Sequence, residues 1–238
     1  MKEIIPFVCG LLLVCPVRLQ ASPASNVLID SFATSQSAPG GVDTRNVAAG
    51  GGILGGERDI ISFLTLSANG TVPGQLSLGF PNGLLNGRAG GDITYDGVDG
   101  NPSSSYFGGL GSVDLTQGGV NDCFQFDITS IANTAATLLI QVRSVNHGSS
   151  VQVNLPQTAG ILDVPFSWFH YDSSPFAFPV DFYNVGYINF HFEMGGRDLV
   201  VMDSVVATTI PEPSTLALIA CMSAGLLTMR RKLMSKRS

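Results

Sequence analysis

Short runs of alternating apolar and polar residues recur through the middle of the chain, and this periodicity constrains the fold more than any other feature. In the run "INFHFEM", from Ile188 to Met194, every second residue is apolar and the residues between are Asn, His and Glu. That pattern is typical of a strand with one face in a core. Eleven β-rich runs are separated by clusters of Gly, Asn, Pro and Asp. They predict an antiparallel β-sandwich of the jelly-roll type over residues 25–209.

The charge of the chain is distributed unevenly. Its formal net charge is −6, but residues 25–209 hold five Arg and no Lys against sixteen Asp and Glu, which gives that segment −11. A surface this acidic repels phosphate backbones, so we expect no nucleic-acid partner. Only Cys123 of the four cysteines lies in this segment, where we expect a buried small apolar side chain and not a reactive thiol.

The N-terminus has the pattern of a secretory signal peptide. Lys2 precedes an apolar run from residue 4 to 17, which is too short to span a bilayer. Small residues before Ala24 predict cleavage by signal peptidase after that residue, with Ala21 as the alternative site. A lipoprotein signal acylated on Cys15 is a further alternative, although Val14 is bulkier than such signals normally allow.

The C-terminus combines three ordered elements. Pro211, Glu212 and Pro213 are followed by an apolar run over residues 216–229 and then by basic residues. The basic cluster that stops transfer across the membrane is Arg230, Arg231 and Lys232. The apolar run covers about 21 Å as a helix and is short for a permanent span. The basic residues place the tail in the cytoplasm and the body outside.

This order of elements resembles the PEP-CTERM sorting domain, over residues 210–238. The resemblance implies processing by exosortase, a membrane-embedded protease-transpeptidase, and a bacterial cell-envelope or extracellular location with at least transient anchoring in the inner membrane. An ordinary single-span anchor is the alternative. The run "DFYNVGYINFHFEMGGRDLVVMDSVVAT" is also similar to the last strands of galactose-binding-like jelly rolls. That second likeness implies fold and no ligand residues.

Four carboxylate or amide side chains are concentrated in the Gly-rich run "DITYDGVDGNPSS". They are Asp92, Asp96, Asp99 and Asn101. Carboxylate and amide oxygens suit Ca²⁺, which is the one cofactor that the sequence suggests. Asp and Asn also favour turns, so an ordinary loop is the alternative.

Other motifs give weaker indications of a functional site. Residues 50–55 satisfy G-x-G-x-x-G, but neither a preceding strand nor a following helix is predicted, so we expect a loop before a strand. The run "GGERD", which overlaps it, is interpreted as a structural turn in which Arg58 pairs with a carboxylate. His170 and His191 each have an acid two residues on, which places both groups on one side of a strand. A solvated strand surface is the default interpretation, and no residue is assigned a catalytic role.

An aromatic cluster surrounds Trp168 and Tyr171, with phenylalanines at 169, 176 and 178. The core is the favoured location, and exposed rings that stack on sugars are the alternative. The sequence thus predicts a non-enzymatic extracytoplasmic protein with a structural or adhesive role in an exopolysaccharide matrix. A carbohydrate-binding module is the alternative, with Trp168 and Tyr171 as glycan contacts, and a glycan-acting hydrolase is third. Extracellular polysaccharide is the expected partner besides the two processing enzymes.

Overall fold

The computed structural model describes residues 26–210 apart from 69, 71, 80–87, 104, 133–135, 173–177 and 196–197. The predicted signal peptide, the Pro211–Glu212–Pro213 motif and the basic cluster at Arg230, Arg231 and Lys232 lie outside the described residues. Within the described part, no helix is long and apolar enough to cross a bilayer.

The described residues form fourteen strands. In chain order they are β1 (Val27–Asp30), β2 (Gln36–Pro39), β3 (Thr44–Ala49), β4 (Glu57–Ser62), β5 (Thr65–Ala68), β6 (Leu76–Gly79), β7 (Arg88–Tyr95), β8 (Cys123–Ala132), β9 (Thr137–Ser144), β10 (His147–Asn154), β11 (Gly160–Pro165), β12 (His170–Tyr171), β13 (Tyr187–Gly195) and β14 (Leu199–Thr208). Short 3₁₀ turns precede β4 at Leu54–Gly56 and follow β11 at Phe166–Trp168.

The strands form two seven-stranded sheets. Sheet A has the order β11-β8-β14-β6-β5-β2, with β1 paired to β14, and sheet B has the order β12-β10-β9-β13-β7-β4-β3. All pairings between these strands are antiparallel. The predicted all-β, two-sheet antiparallel sandwich is therefore confirmed.

The inner faces of the two sheets pack together as one core. In β13 the residues Ile188, Phe190 and Phe192 are buried, as the alternation predicts. The ring of Phe190 meets the rings of Phe126 and Phe124 from sheet A at centroid distances of 5.2 and 6.0 Å. Burial of each such ring stabilises the folded state by about 1.5–3 kcal/mol. These ring contacts join the two sheets in the core.

Several local predictions need correction. The run "SVDL", one of the eleven β-rich runs, is a turn region joined to Val185 through a bridge at Val113. The residues Glu57 to Asp59 of "GGERD" begin strand β4 and do not form a turn. Strands β2 and β3 were not predicted, because both lie at sheet edges and lack a strong apolar alternation. Pro39 is tolerated at the end of β2 because an edge strand has a side without a ladder partner. The segment around Gly50–Gly55 is a loop that leads into β4, as predicted.

Candidate functional site

A row of polar side chains crosses the outer face of sheet B. The strand registers place Gln141 of β9 opposite Asn189 of β13, Asn189 opposite Thr94 of β7, and Thr94 opposite Asp59 of β4. Arg143 and Tyr187 are opposite each other two residues further along β9 and β13. Because residues two apart share a face of a strand, four strands present these groups to one side.

Gln141, Asn189 and Thr94 of this row form the floor of a depression of about 270 Å³, which we call the polar cleft, whereas Asp59 does not line it. Gln141, Arg143 and Asn189 come from two neighbouring strands, and Asp92 and Thr94 come from the next. One wall is formed by Pro102, Ser103 and Ser105 of the loop that follows β7. The cleft is completed by Ile61 and Tyr187. Hydroxyl, amide, carboxylate and guanidinium groups therefore converge on a single concave surface.

Hydrogen bonds fix the side chains on the floor of the polar cleft. The Asn189 amide donates to Thr94 Oγ1 at 3.0 Å and to Asp92 Oδ1 at 3.2 Å. The same Asp92 oxygen lies 3.0 Å from His191 Nδ1. The hydrogen bond from His191 to Asp92 raises the pKa of His191 above 6.5 even though burial of the ring acts in the opposite direction. The floor is thus held in place before any ligand arrives.

Arg143 is held between two aromatic rings. Its guanidinium carbon lies 5.2 Å from the centroid of the Phe107 ring and 5.5 Å from that of Tyr187. Such cation–π contacts contribute about 0.5–2 kcal/mol each. They also restrict the long side chain, so its donors are presented in a fixed direction.

Residues 97–103 and 105–106, the covering loop, lie over the outer face of sheet B beside the polar cleft. Glu57 Oε1 accepts hydrogen bonds from the backbone N–H groups of Asp99 and Gly100 at 3.2 and 2.9 Å. Asp96 Oδ2 accepts one from the N–H of Tyr106 at 2.9 Å. The carboxylate of Glu57 therefore joins the covering loop to strand β4, and the carboxylate of Asp96 joins the two ends of that loop.

The start of the covering loop requires glycine. Gly97 has φ of +90°, and a Cβ there would collide with the backbone of Gly109. This close approach folds the loop back on itself directly after Asp96. It brings Asp99 towards the first residues of β4.

Four carboxyl groups lie close together where the covering loop contacts β4. We call them the acidic cluster: Glu57, Asp59, Asp96 and Asp99. One carboxylate oxygen from each of Glu57, Asp59 and Asp99 lies within 4.8 Å of the others. Glu57, Asp59 and Asp96 are buried, and Asp99 is exposed. Burial, together with the charges of Asp96, Glu57 and Asp99, raises the pKa of Asp59 to about 7. Burial is also the main cause that raises the pKa of Asp96.

The predicted oxygen ligands are divided between two places. Asp96 and Asp99 belong to the acidic cluster, whereas Asp92 lines the polar cleft and is bonded by Asn189 and His191. Asn101 forms a local turn in which its Oδ1 accepts from the N–H of Ser103. Sequence reasoning missed Glu57 and Asp59. The signal available for them was the spacing of two acids at i and i+2 in "GGERD", which puts both on one face of a strand.

The aromatic cluster is split between core and surface. Phe169 packs on the core, with its ring centroid 5.9 Å from that of Phe124. Trp168 and Tyr171 are 50% and 43% exposed, and Phe178 is exposed as well. The core interpretation is therefore wrong for these three residues. Phe176 lies outside the described residues. Tyr171 belongs to β12 at the edge of sheet B, and Trp168 ends the 3₁₀ turn that precedes this strand. Neither residue lines the polar cleft.

Solved structures with a similar arrangement of strands include two of family 11 carbohydrate-binding modules from Clostridium thermocellum. One is described as in complex with a beta-1,3-1,4-mixed-linked tetrasaccharide; it is 14% identical, covers 80% of this chain and 99% of its own, and has a TM-score of 0.43. The other is the module of the cellulosomal cellulase Lic26A-Cel5E, at 15% identity, with 81% and 99% covered and a TM-score of 0.41.

A third similar structure is PfGH50B, at 11% identity, with 65% of this chain and 22% of that chain covered and a TM-score of 0.39. Identities this low transfer neither a ligand nor a residue role to this chain. No protein-family model matches the chain, and this includes the PEP-CTERM sorting domain that its C-terminus resembles. No curated protein matches it.

Proposed function

We propose that this protein is a non-enzymatic, exported surface protein whose sandwich binds polysaccharide in the polar cleft. The observation that carries the proposal is the convergence of Gln141, Arg143, Asn189, Asp92 and Thr94 on one concave strand surface. A sugar ring presents several hydroxyl groups, each of which donates and accepts hydrogen bonds. The cleft offers both kinds of partner, since amide and guanidinium N–H groups donate and carboxylate and amide oxygens accept.

The chemistry of the cleft favours binding over hydrolysis. Hydrolysis of a glycosidic bond by the common mechanism uses two carboxyl groups on opposite sides of that bond. Among the described residues that line the cleft, Asp92 is the one carboxylate, and it is engaged by Asn189 and His191. Glu57, Asp59 and Asp96 are buried and do not line the cleft.

The exposed aromatic residues Trp168 and Tyr171 provide a second candidate contact surface. Both rings have a solvent-facing surface on which a sugar could stack. They lie near the edge of sheet B, whereas the polar cleft lies over its central strands. The two surfaces can therefore be tested separately by substitution.

The export part of the proposal rests on the two ends of the chain. A cleaved signal peptide and a sorting segment handled by exosortase would deliver the sandwich to the cell envelope or to the extracellular matrix. There, a domain that binds polysaccharide would serve the adhesive role predicted from the sequence. The motif Pro211–Glu212–Pro213 and the basic residues after it support this part of the proposal.

Binding is tested by isothermal titration of the protein with a panel of soluble xylan, β-glucan, mannan and galactan. Gln141→Ala removes a cleft side chain, and Gln152→Ala is its matched control. Both glutamines are on the outer face of sheet B, but only Gln141 lines the cleft. Loss of one hydrogen bond of about 1 kcal/mol should weaken binding about fivefold in the first variant and leave it unchanged in the second.

Two results would contradict the proposal. Absence of binding to every polysaccharide by folded protein would remove glycan binding altogether. Binding that survives Gln141→Ala but is lost in Trp168→Ala would move the site from the polar cleft to the exposed aromatic surface.

A further inference from the structure

Asp59 is the feature of the acidic cluster that a turn or an ordinary hydrogen-bond network does not explain. Asp59 is only 2% exposed, and no N–H or hydroxyl group of the described residues donates a hydrogen bond to either of its carboxylate oxygens. The neighbouring carboxyl of Asp96 can hydrogen-bond to it only by sharing a proton. A buried carboxylate without a donor or a counter-charge costs several kcal/mol. Among the described residues, no base forms an ion pair with Glu57, Asp59 or Asp96.

The surroundings of Asp59 increase that cost. Glu57 and Asp99 place carboxylate oxygens within 4.8 Å of its own, and Asp96 adds a further negative charge. Like charges this close destabilise one another unless one carboxyl takes up a proton or a cation lies between them. The cluster therefore combines a buried carboxylate that lacks an N–H or hydroxyl donor with two carboxylates that approach it closely, Glu57 and Asp99, and with the neighbouring Asp96.

From this geometry we infer that Glu57, Asp59, Asp96 and Asp99 form a Ca²⁺ site. All four side chains offer hard oxygen ligands, which Ca²⁺ and Mg²⁺ prefer and which Zn²⁺ and Cu²⁺ seldom use alone. Ca²⁺ is the better match, because it accepts six to eight oxygens in irregular geometry, including bidentate carboxylates. Mg²⁺ needs a near-ideal octahedron, which two strand residues and a loop do not readily provide.

The position of this site gives it a structural role. Glu57 and Asp59 belong to β4, Asp96 directly follows β7, and Asp99 belongs to the covering loop. A cation held by all four joins the covering loop to sheet B. Since Pro102, Ser103 and Ser105 of that loop line the polar cleft, Ca²⁺ would also hold one wall of the cleft. Only this last consequence rests on the proposed function.

The test uses the full chain in a mild detergent, first stripped with EGTA, and needs no glycan. Titration with CaCl₂ should show one saturable site per chain. Calcium at ten times its Kd should raise the melting temperature by about 2–4 °C. MgCl₂ at equal ionic strength controls for screening of the acidic surface and should produce a smaller shift.

Two variants assign the effect to the cluster. Asp59→Asn with Asp99→Asn should abolish the difference between calcium and magnesium. Asp127→Asn makes the same kind of charge change on β8 of sheet A and should preserve it. If the double variant does not fold, Asp99→Asn alone changes an exposed loop residue and should weaken calcium binding at least tenfold.

Three outcomes would overturn the inference: no saturable calcium binding by the wild-type chain, equal thermal shifts with both ions, or a calcium-specific shift that survives the substitutions. Because these readouts contain no polysaccharide, a failed calcium site and a failed glycan site would be told apart.

Discussion

The guanidinium of Arg58 donates a hydrogen bond to the carboxylate of Asp30 across 2.7 Å, and both side chains are completely buried between the two sheets. Arg58 belongs to β4 of sheet B and Asp30 to β1 of sheet A. Arg58 also donates to Gln36 Oε1 at 2.6 Å, and the Tyr95 hydroxyl donates to Asp30 at 2.9 Å. The expected pairing of Arg58 with a carboxylate is therefore confirmed, and it joins the two sheets through the core.

Removal of one member of this pair should destabilise the protein strongly. Arg58→Met leaves Asp30 buried beside an apolar side chain, and we expect a loss of about 3–5 kcal/mol in the free energy of unfolding. Urea denaturation measures it. Arg45→Met is the control, because Arg45 pairs with Asp43 on the surface, where ion pairs contribute little.

The double substitution should be less harmful than the single one. Burial raises the pKa of Asp30 despite the opposing effects of Arg58 and the hydrogen bonds from Phe32 and Tyr95, so desolvation is the larger effect on this carboxyl. Replacement of both charges in Asp30→Leu with Arg58→Met removes that cost. A double variant as unstable as the sum of the two single variants would contradict this coupling.

The interaction of His191 with Asp92 predicts a specific pH dependence. The pKa of His191 is raised in the folded state, so the folded protein binds this proton more tightly than the unfolded chain does. The resulting stabilisation is fully present below the unfolded pKa of about 6.5 and is lost as the pH rises through the folded pKa. NMR titration of the imidazole should give a pKa above 6.5, and Asp92→Asn should lower it. An unchanged pKa in that variant would assign the shift to other groups, such as the Glu193 carboxylate at 3.9 Å from His191 Nε2.

Cys123 should be chemically inert in the folded protein. Its Sγ donates to the carbonyl of Thr208, and burial, followed by the charges of Asp163 and Asp122, raises its pKa to about 12. At pH 8 the thiolate fraction should be about 10³-fold below that of an unfolded cysteine. Labelling with iodoacetamide, read by mass spectrometry of the Cys123 peptide, should be slow in buffer and rapid in urea. Equal rates in both conditions would show that the thiol is accessible.

The ends of the chain predict the mass of the mature protein. Protein recovered from its native host should lack residues 1–24 and the basic residues that follow the apolar run. Intact-mass analysis measures both cleavages, and a mass that corresponds to a start at residue 22 would favour cleavage after Ala21. If residues 230–238 remain on most molecules, the C-terminus is an ordinary anchor and exosortase has no role.

The class of fold could be predicted because strand periodicity is a local property. The alternation around Phe190 identified the buried face of β13, and the polar residues opposite it were correctly placed on the outer face. The acidic cluster could not be assembled in the same way. It requires β4 and β7 to be neighbours, and the order of strands in a sheet depends on long-range packing, which no local pattern records. Exposure of Trp168 was missed for a similar reason, because the strand ends at Pro165 and a 3₁₀ turn redirects the chain.

The pairing of the first strand with the last has a mechanical consequence. Strand β14 lies inside sheet A, bonded to β8 on one side and to β1 and β6 on the other. A pulling force applied through the residues after Ile210 acts along β14 and loads these rows of hydrogen bonds in shear, so that many bonds share the load at once. A force perpendicular to the strand would instead open these bonds one at a time. We therefore expect the sandwich to resist tension applied along β14 from its C-terminal end.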